Sequence, residues 1–521
     1  MEWPIWRMVF AFFHIQMQNV NNFYNKIIII KHKINSFFVI ISHFNLLVNI
    51  EKWKKQIEFS VGTVGIVLYN IKRVLYNIKG RLFMKRTAIC SPDWFNKSAI
   101  YQINPRTFSK EGTIQAITDE IPFLKDLGFR ILYLCPIFEA DESLDNRSPR
   151  QLASKTDNPK NPYRMNDYFS IDNEYGTMDD LRVLVKKAHE AGMYVLLDLV
   201  YAHIGNSADI IKRHPEFVMQ NQDGSFVCTE WNFPKFDFNN EGLREYLYCN
   251  MVYYISVIDV DGFRCDVGDG IPIDFWNEAK KRITRVKSDA VLINEGRKYY
   301  YMETAFDACY CFAWHECVRK VFCGTDSASK IKELYENLDL PKGGKLLRDI
   351  DNHDTVTDWL GRTETVCGHN GMEQIEVINY LIDGIPMVYA GNELACEAEL
   401  SMFANRFFPG RYEVTKRNDK YSDASKRRQE VIRILNKLKA EQDILYLGKT
   451  VWTETSMPNE VICFKRVLDG EEIMFIGNAK SFAVDIDITI PEERKCVLTN
   501  RKNLQSSGKL CLGPYEYAVF M

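Results

Sequence analysis

Four short apolar runs in this chain each end in an acid. That pattern constrains the fold more than any other feature. Residues 194–197 (YVLL) lead into Asp198, and residues 262–265 (GFRC) lead into Asp266. Residues 290–293 (AVLI) lead into Asn294 and Glu295, and Leu346 and Leu347 precede a segment that ends in His353 and Asp354. A single acid after a strand is ordinarily a helix cap or a loop ion pair. Several in chain order point instead to a barrel of alternating strands and helices, whose strand C-termini open at one mouth where chemistry collects.

The segment at residues 261–270 (DGFRCDVGDG) is the centre of the pattern. Arg264 and Asp266 alternate on one strand face and point the same way. Arginine keeps its charge and lowers the pKa of an adjacent acid, which suits a carboxylate that must stay ionised in a half-buried place. From this segment alone, a structural ion pair at a strand end is the better reading.

Residues 198–203 (DLVYAH), 262–267 (GFRCDV), 293–296 (INEG) and 351–354 (DNHD) resemble the signature motifs of the α-amylase family of glycoside hydrolases. Residues 163–198 resemble the family's third helix and strand, and the likeness runs from about Ser91 to the C-terminus. The resemblance implies an α/β fold. It would be a (β/α)8 TIM barrel with a short inserted lobe after the third strand and a C-terminal antiparallel β-sandwich module.

The resemblance also assigns roles. Asp266 would be the nucleophile and Glu295 the general acid and then base. Asp354 would hold sugar hydroxyls and stabilise the distorted ring. Tyr163, Asp167, Asp198, His203, Arg264 and His353 would bind substrate, with Tyr163 stacked on the reacting sugar and the two histidines donating to its hydroxyls. Such chemistry needs one carboxylate at the anomeric carbon and one carboxylic acid at the leaving oxygen, about 5–5.5 Å apart where configuration is retained. Arg264 is expected to keep Asp266 ionised. Glu295 has no cation on its strand side and is expected to keep its proton, provided Arg297 and Lys298 turn away.

Two positions depart from the family. Ala202 stands where an asparagine usually ligates calcium, and its side chain offers no oxygen. A structural calcium is therefore doubtful, and no cofactor or metal is expected. Asp269 and Gly270 stand near the place where many starch-degrading members carry a Lys-His pair for the leaving sugar, so acceptor contacts should differ.

Charge excludes other partners. With 66 basic against 69 acidic residues the net charge is −3, and nothing points to nucleic acid or an anionic substrate. The 14 cysteines are scattered and often lie in apolar runs, which reads as reduced thiols in a cytoplasmic protein. No zinc-type spacing occurs, since Cys309 and Cys311 are too close. Aromatics at 13% suit sugar stacking as well as core packing.

Residues 1–84 differ in composition. They contain no Asp or Cys, and their 11 Lys and Arg face 3 Glu. VLYNIK occurs twice, at residues 67–72 and 74–79. Its longest apolar run is shorter than the roughly 20 residues of a membrane span, and no signal-type cleavage site follows. This Ile/Asn/Lys/Phe-rich extension is expected to lie outside the working protein, with Met84 as a natural start, and no membrane partner is expected.

The barrel with its lobe is expected over residues 85–445 and the C-terminal β domain over residues 446–521. Expected barrel strands include residues 98–104, 130–135, 194–200, 306–314 and 386–390. Residues 139–161 read as a long polar loop over the mouth. The lobe, at about residues 204–240, carries Trp231, Phe233, Phe236 and Phe238, each of which could stack on sugar or pack the lobe down.

The resulting expectation is a retaining hydrolase of α-glucosidic bonds in malto-oligosaccharides or related α-glucosides. A transglycosylase or sugar isomerase would use the same acids. A non-catalytic amylase-like binding protein would not need them. Linkage, chain length and oligomeric state are not encoded legibly.

Overall fold

The computed structural model describes residues 86–521, apart from residues 157, 358–360, 399–400, 404–422, 489–493 and 502–508. The extension at residues 1–84 lies outside the described residues. From Met84 onward the chain forms one compact unit.

Among the described residues, ten strands precede the C-terminal module: β1 (Ile100–Ile103), β2 (Ile131–Leu134), β3 (Phe138–Ala140), β4 (Met165–Ile171), β5 (Tyr194–Leu199), β6 (Gly262–Cys265), β7 (Val291–Asn294), β8 (Ala308–Tyr310), β9 (Lys345–Asp349) and β10 (Ile385–Tyr389). All but β3 and β4 close into a parallel barrel in the order β1-β10-β9-β8-β7-β6-β5-β2. Both faces of each strand are buried, as parallel sheets require. Ile100, Ile131, Leu196, Val291, Ile293, Leu347, Ile385 and Met387 fill the inside over Trp94 and Phe95. Leu132, Leu134, Val195, Leu197, Phe263 and Leu292 face the surrounding helices.

Those helices include α1 (Ile114–Asp126), α2 (Pro149–Ala153), α3 (Met178–Glu190), α4 (Glu241–Tyr253), α5 (Ile273–Val286), α6 (Phe312–Phe322), α7 (Ser329–Glu336), α8 (Thr363–Leu381) and α9 (Asp423–Glu441). Their starts follow local chemistry. Thr113 caps α1, and Thr177 and Asp180 form a reciprocal capping box on α3. Gly128 and Gly192, both at positive φ, end the turns that return to β2 and β5.

Two segments differ from the sequence expectation. The loop expected at residues 139–161 contains α2, because Ser148 accepts from Gln151 N and Pro149 presets the first turn. Its flanks form the β3–β4 antiparallel pair. The sixth barrel strand is only Ala308–Tyr310, since α6 begins at Phe312 and takes Trp314.

The C-terminal module consists of β11 (Lys449–Trp452), β12 (Val461–Leu468), β13 (Glu471–Asn478), β14 (Val484–Asp487), β15 (Cys496–Thr499), β16 (Lys509–Leu512) and β17 (Tyr517–Phe520). They pair as antiparallel sheets β11-β12-β13-β17-β15 and β14-β16. Alternation divides the larger sheet. Ile462, Phe464, Ile473, Phe475, Tyr517 and Val519 join the barrel's outer core, while Val461, Cys463, Met474, Ile476, Ala518 and Phe520 pack on β14 and β16.

Candidate active site

Asp198 and Arg264 are register partners on the adjacent strands β5 and β6, which places both side chains at one level inside the barrel. Arg264 is buried, and its Nη1 donates to Asp198 Oδ1 at 2.7 Å and to Asp266 Oδ1 at 2.8 Å. Its Nη2 lies 2.7 Å from Glu295 Oε1. Asp198 Oδ2 accepts from the hydroxyls of Tyr133 at 2.5 Å and Tyr163 at 3.0 Å. The guanidinium carbon stands 5.9 Å from the Tyr163 ring centre and 5.7 Å from that of Tyr310.

The backbone after Asp266 is shaped to hold Glu295. Val267 adopts φ 45°, a left-handed conformation uncommon for a β-branched residue. Its N–H donates to Glu295 Oε2 at 2.8 Å. Gly296 is required next, because a Cβ there would meet Asp269 Oδ1 at 2.1 Å. Asp269 accepts from the backbone N–H groups of Arg297 at 2.6 Å and Lys298 at 3.0 Å. It is thereby committed to the turn that follows Glu295.

A cavity of about 840 Å³ opens at this mouth, within the usual range for small-ligand sites. Asp266, Glu295, Asp354, Tyr163 and His203 line it, with Arg150, Trp231, Phe233, Phe312 and Phe403 among the other walls. The structure brings Asp266, Glu295 and Asp354 to one cavity.

Other residues take different places from those expected. Asp198, Arg264 and His353 are buried and bonded to residues that line the cavity, Asp198 and His353 to Tyr163 and Arg264 to Asp266 and Glu295. Asp167 is not brought to the cavity. Its carboxylate accepts from Phe169 N and Ser170 Oγ of its own strand, both at 2.8 Å. The His203 Nε2–H donates to the Tyr163 carbonyl at 2.8 Å, so that proton is committed to the protein rather than to a sugar. His353 Nδ1 accepts from Gln102 Nε2 at 2.9 Å, and its Nε2 faces the Tyr163 hydroxyl at 2.6 Å and Asp354 Oδ2 at 3.3 Å. Of the lobe aromatics, Trp231 and Phe233 line the cavity, while Phe236 and Phe238 belong to the core.

The electrostatics also differ from the expected division of labour. Glu295 does have a cation on its strand side, namely Arg264. The Arg297 guanidinium stands 5.3 Å from the Phe312 ring centre, and Lys298 Nζ donates to the Asp269 carbonyl at 2.7 Å. Burial pushes the Asp266 carboxyl well up; Arg264 opposes the rise, and the charges of Glu295 and Asp198 add to it. Burial likewise raises Glu295, with Arg264 opposing and Asp354 adding. Arg264 alone therefore does not keep Asp266 ionised. One guanidinium serves several carboxylates. Asp354 behaves oppositely. Burial would raise it, but His353, Arg150 and Arg264 outweigh that and bring it to about 2. Burial lowers His203 to about 4, so its ring is neutral.

Around Gly205 the acids and carbonyls are held by side-chain cations. Buried Asp141 accepts from Ser207 N at 2.9 Å and lies 3.5 Å from the Arg164 guanidinium. Arg164 in turn donates to the carbonyls of Asp141, Ser143, Asp145 and Pro159. Buried Asp172 is paired with Lys160 Nζ at 2.8 Å. The carbonyls and acids a hard cation would need are thus already bonded to side-chain cations. Among the described residues, no group of three or more His, Cys, Asp or Glu could hold a metal.

Arg150 was not legible as a site residue. Only the Ser-Pro start of its helix was visible in the sequence, and that signal says nothing of where the side chain reaches.

Residues 90–230 match the family model described as the α-amylase catalytic domain. The chain is similar to an intracellular maltogenic amylase of Bacillus subtilis, 24% identical over 519 residues that cover 88% of this chain and 82% of that protein. It is also similar to a cyclomaltodextrinase of Thermoanaerobacter pseudethanolicus, 24% identical with coverage of 81% and 76%. The fold matches a crystal structure of a maltogenic α-amylase from Thermotoga neapolitana with a TM-score of 0.68 at 23% identity, covering 82% of this chain and 96% of that one. In its closed parallel barrel, and over residues 90–230 in sequence, the chain is similar to proteins of the α-amylase family.

Proposed function

We propose that this protein is a retaining glycoside hydrolase that cleaves α-glucosidic bonds in malto-oligosaccharides or related α-glucosides. The observation that carries the reading is the convergence of Asp266, Glu295 and Asp354 on one cavity, with Arg264 joining the first two. The relatives' names, maltogenic amylase and cyclomaltodextrinase, indicate the substrate class.

In this reading Asp266 attacks the anomeric carbon while Glu295 gives its proton to the leaving oxygen. The bond to the leaving sugar breaks and an ester to Asp266 forms. Glu295, now ionised, takes a proton from water, whose oxygen displaces Asp266 and restores it. The raised Glu295 carboxyl suits the acid role. The Arg264 Nη1–H donated to Asp266 Oδ1 favours the ionised form of that carboxyl against the burial that raises it. Asp354, strongly ionised, accepts from sugar hydroxyls.

The same reading carries three further calls. The protein works without a bound metal, supported by the Arg164 guanidinium among loop carbonyls. It is cytoplasmic, supported by 14 free cysteines and by the relative named as intracellular. It requires no membrane, and among the described residues no helix is long and apolar enough to cross one.

The test is incubation with maltotriose, panose, trehalose and sucrose, with Glu295→Gln as control and products followed by NMR. Release of α-configured sugar by the parent protein and not by the variant supports the reading. New linkages in place of free sugar would move it to transglycosylation, and absence of turnover from folded protein would overturn it.

A further inference from the structure

The acid assigned to sugar hydroxyls is already held by a side chain from a different part of the mouth. Arg150 Nη1 donates to Asp354 Oδ1 at 2.5 Å, and Arg150 Nη2 donates to the Asp354 carbonyl at 2.7 Å. The other carboxylate oxygen faces His353 Nε2 at 3.3 Å. Both oxygens of Asp354 therefore have cationic or N–H partners before any substrate arrives.

This reach is built, not incidental. Arg150 is the second residue of α2, whose first turn is fixed by the Ser148 cap and by Pro149. Buried Gln151 clasps the helix to its loop, donating to the carbonyls of Asn158 at 3.2 Å and Pro159 at 2.9 Å. The Arg150 guanidinium also stands 5.8 Å from the Phe403 ring centre. A forked donor held at one end by a capped helix and packed over a ring loses little freedom on binding. Ser148, Arg150, Asn161 and Phe403 line the same cavity as Asp266 and Glu295.

The general acid Glu295 marks the side of the leaving sugar, and Asp354 marks the side of the sugar that is retained. Arg150 therefore covers the retained side. We propose that Arg150 is a specificity-determining residue that recognises the terminal sugar beside Asp354 and restricts how much chain extends beyond it. A hydroxyl entering Asp354 shares or displaces one N–H of the fork, and the freed N–H donates to a neighbouring sugar oxygen. A chain continuing past that sugar must compete with the guanidinium. The protein is then expected to release short products from chain ends. This rests on the hydrolase reading above.

The test has two arms. In the first, the parent protein, Arg150→Ala and Arg150→Lys digest maltotriose and maltoheptaose at pH 7, where Asp354 stays ionised in all three. The expected result for Arg150→Ala is a KM for maltotriose about tenfold higher, a much smaller change in kcat, and longer fragments from maltoheptaose. Arg150→Lys, which keeps the charge but loses the fork, should fall between. Unchanged KM and product sizes in folded Arg150→Ala would overturn the proposal. In the second arm, maltotriose binding is measured by calorimetry in Glu295→Gln with and without Arg150→Ala. A Kd weakened about tenfold is expected, and equal Kd values would overturn it. Because the second arm needs no turnover, an inactive parent protein would sink the hydrolase reading while leaving the Arg150 proposal separately decided.

Discussion

Arg264 Nη2 lies 2.7 Å from Glu295 Oε1, so the guanidinium that holds Asp266 also holds the acid at the end of the next strand. The fork is what permits this, since its two nitrogens leave one plane in different directions. A lysine offers a single ammonium and cannot keep Asp198, Asp266 and Glu295 in register together. Arg264→Lys is expected to fold and to lose roughly 10²-fold or more in kcat, the order seen when one preorganised donor is removed. The measurement is kcat on maltotriose with near-ultraviolet circular dichroism as the fold control. Activity within a few-fold of the parent would contradict the shared-fork account.

The two carboxyls are expected to separate by leaving group. Glu295→Gln removes the proton donor, so hydrolysis of maltotriose should fall by about 10²–10⁴-fold, whereas an α-glucosyl fluoride needs no protonation and should lose far less. Asp266→Asn removes the attacking atom and should abolish both reactions. Equal losses on the two substrates in Glu295→Gln would show that Glu295 is not the acid.

What the sequence made legible followed from periodicity and strand-end chemistry. Asp198, Asp266 and Glu295 could be placed at one mouth because a barrel fixes where strand ends go. The same logic could not distinguish residues that line the cavity from those bonded to the lining residues. Asp198 and Arg264 are in register and buried together, which is a fact of pairing between strands far apart in the chain. Asp167 failed for another reason. Within β4 its carboxylate accepts from Phe169 N two residues along the same strand, a local bond that the neighbouring polar residues did not reveal. Arg150 was illegible because its partner, Asp354, lies across the barrel.

Metal removal should leave the protein intact. Arg164 supplies the positive charge among the carbonyls of Asp141, Ser143, Asp145 and Pro159. Excess EDTA is expected to change neither Tm nor activity. Arg164→Met leaves buried Asp141 without its cation and strips those carbonyls of a donor, at a cost of about 3–5 kcal/mol. The thermal midpoint should fall by several degrees, and added calcium should not restore it. A marked Tm loss of the parent in EDTA, reversed by calcium, would refute the account.

The last expectation concerns stability against pH and rests on Glu376. This residue is 1% exposed on α8, and neither carboxylate oxygen has a hydrogen-bond partner. Arg428 Nε lies 3.4 Å from Oε2, but both terminal nitrogens of that guanidinium are given to Glu364, at 3.1 and 3.0 Å. Burial raises Glu376 to about 8, with Arg428 opposing and the charges of Glu364, Glu373 and Glu393 adding. The folded pKa thus exceeds the ordinary 4.5, and the folded state is the one that binds the proton. Its contribution to stability is complete below about pH 4.5 and is lost as the pH rises through about 8. Between pH 6 and 9 the parent protein should lose thermal stability more steeply than Glu376→Gln, whose amide keeps the shape and cannot ionise. Scanning calorimetry of both proteins across that interval decides the matter, since only the difference between the curves belongs to this side chain. Parallel curves would mean that Arg428 holds Glu376 ionised despite serving Glu364 as well.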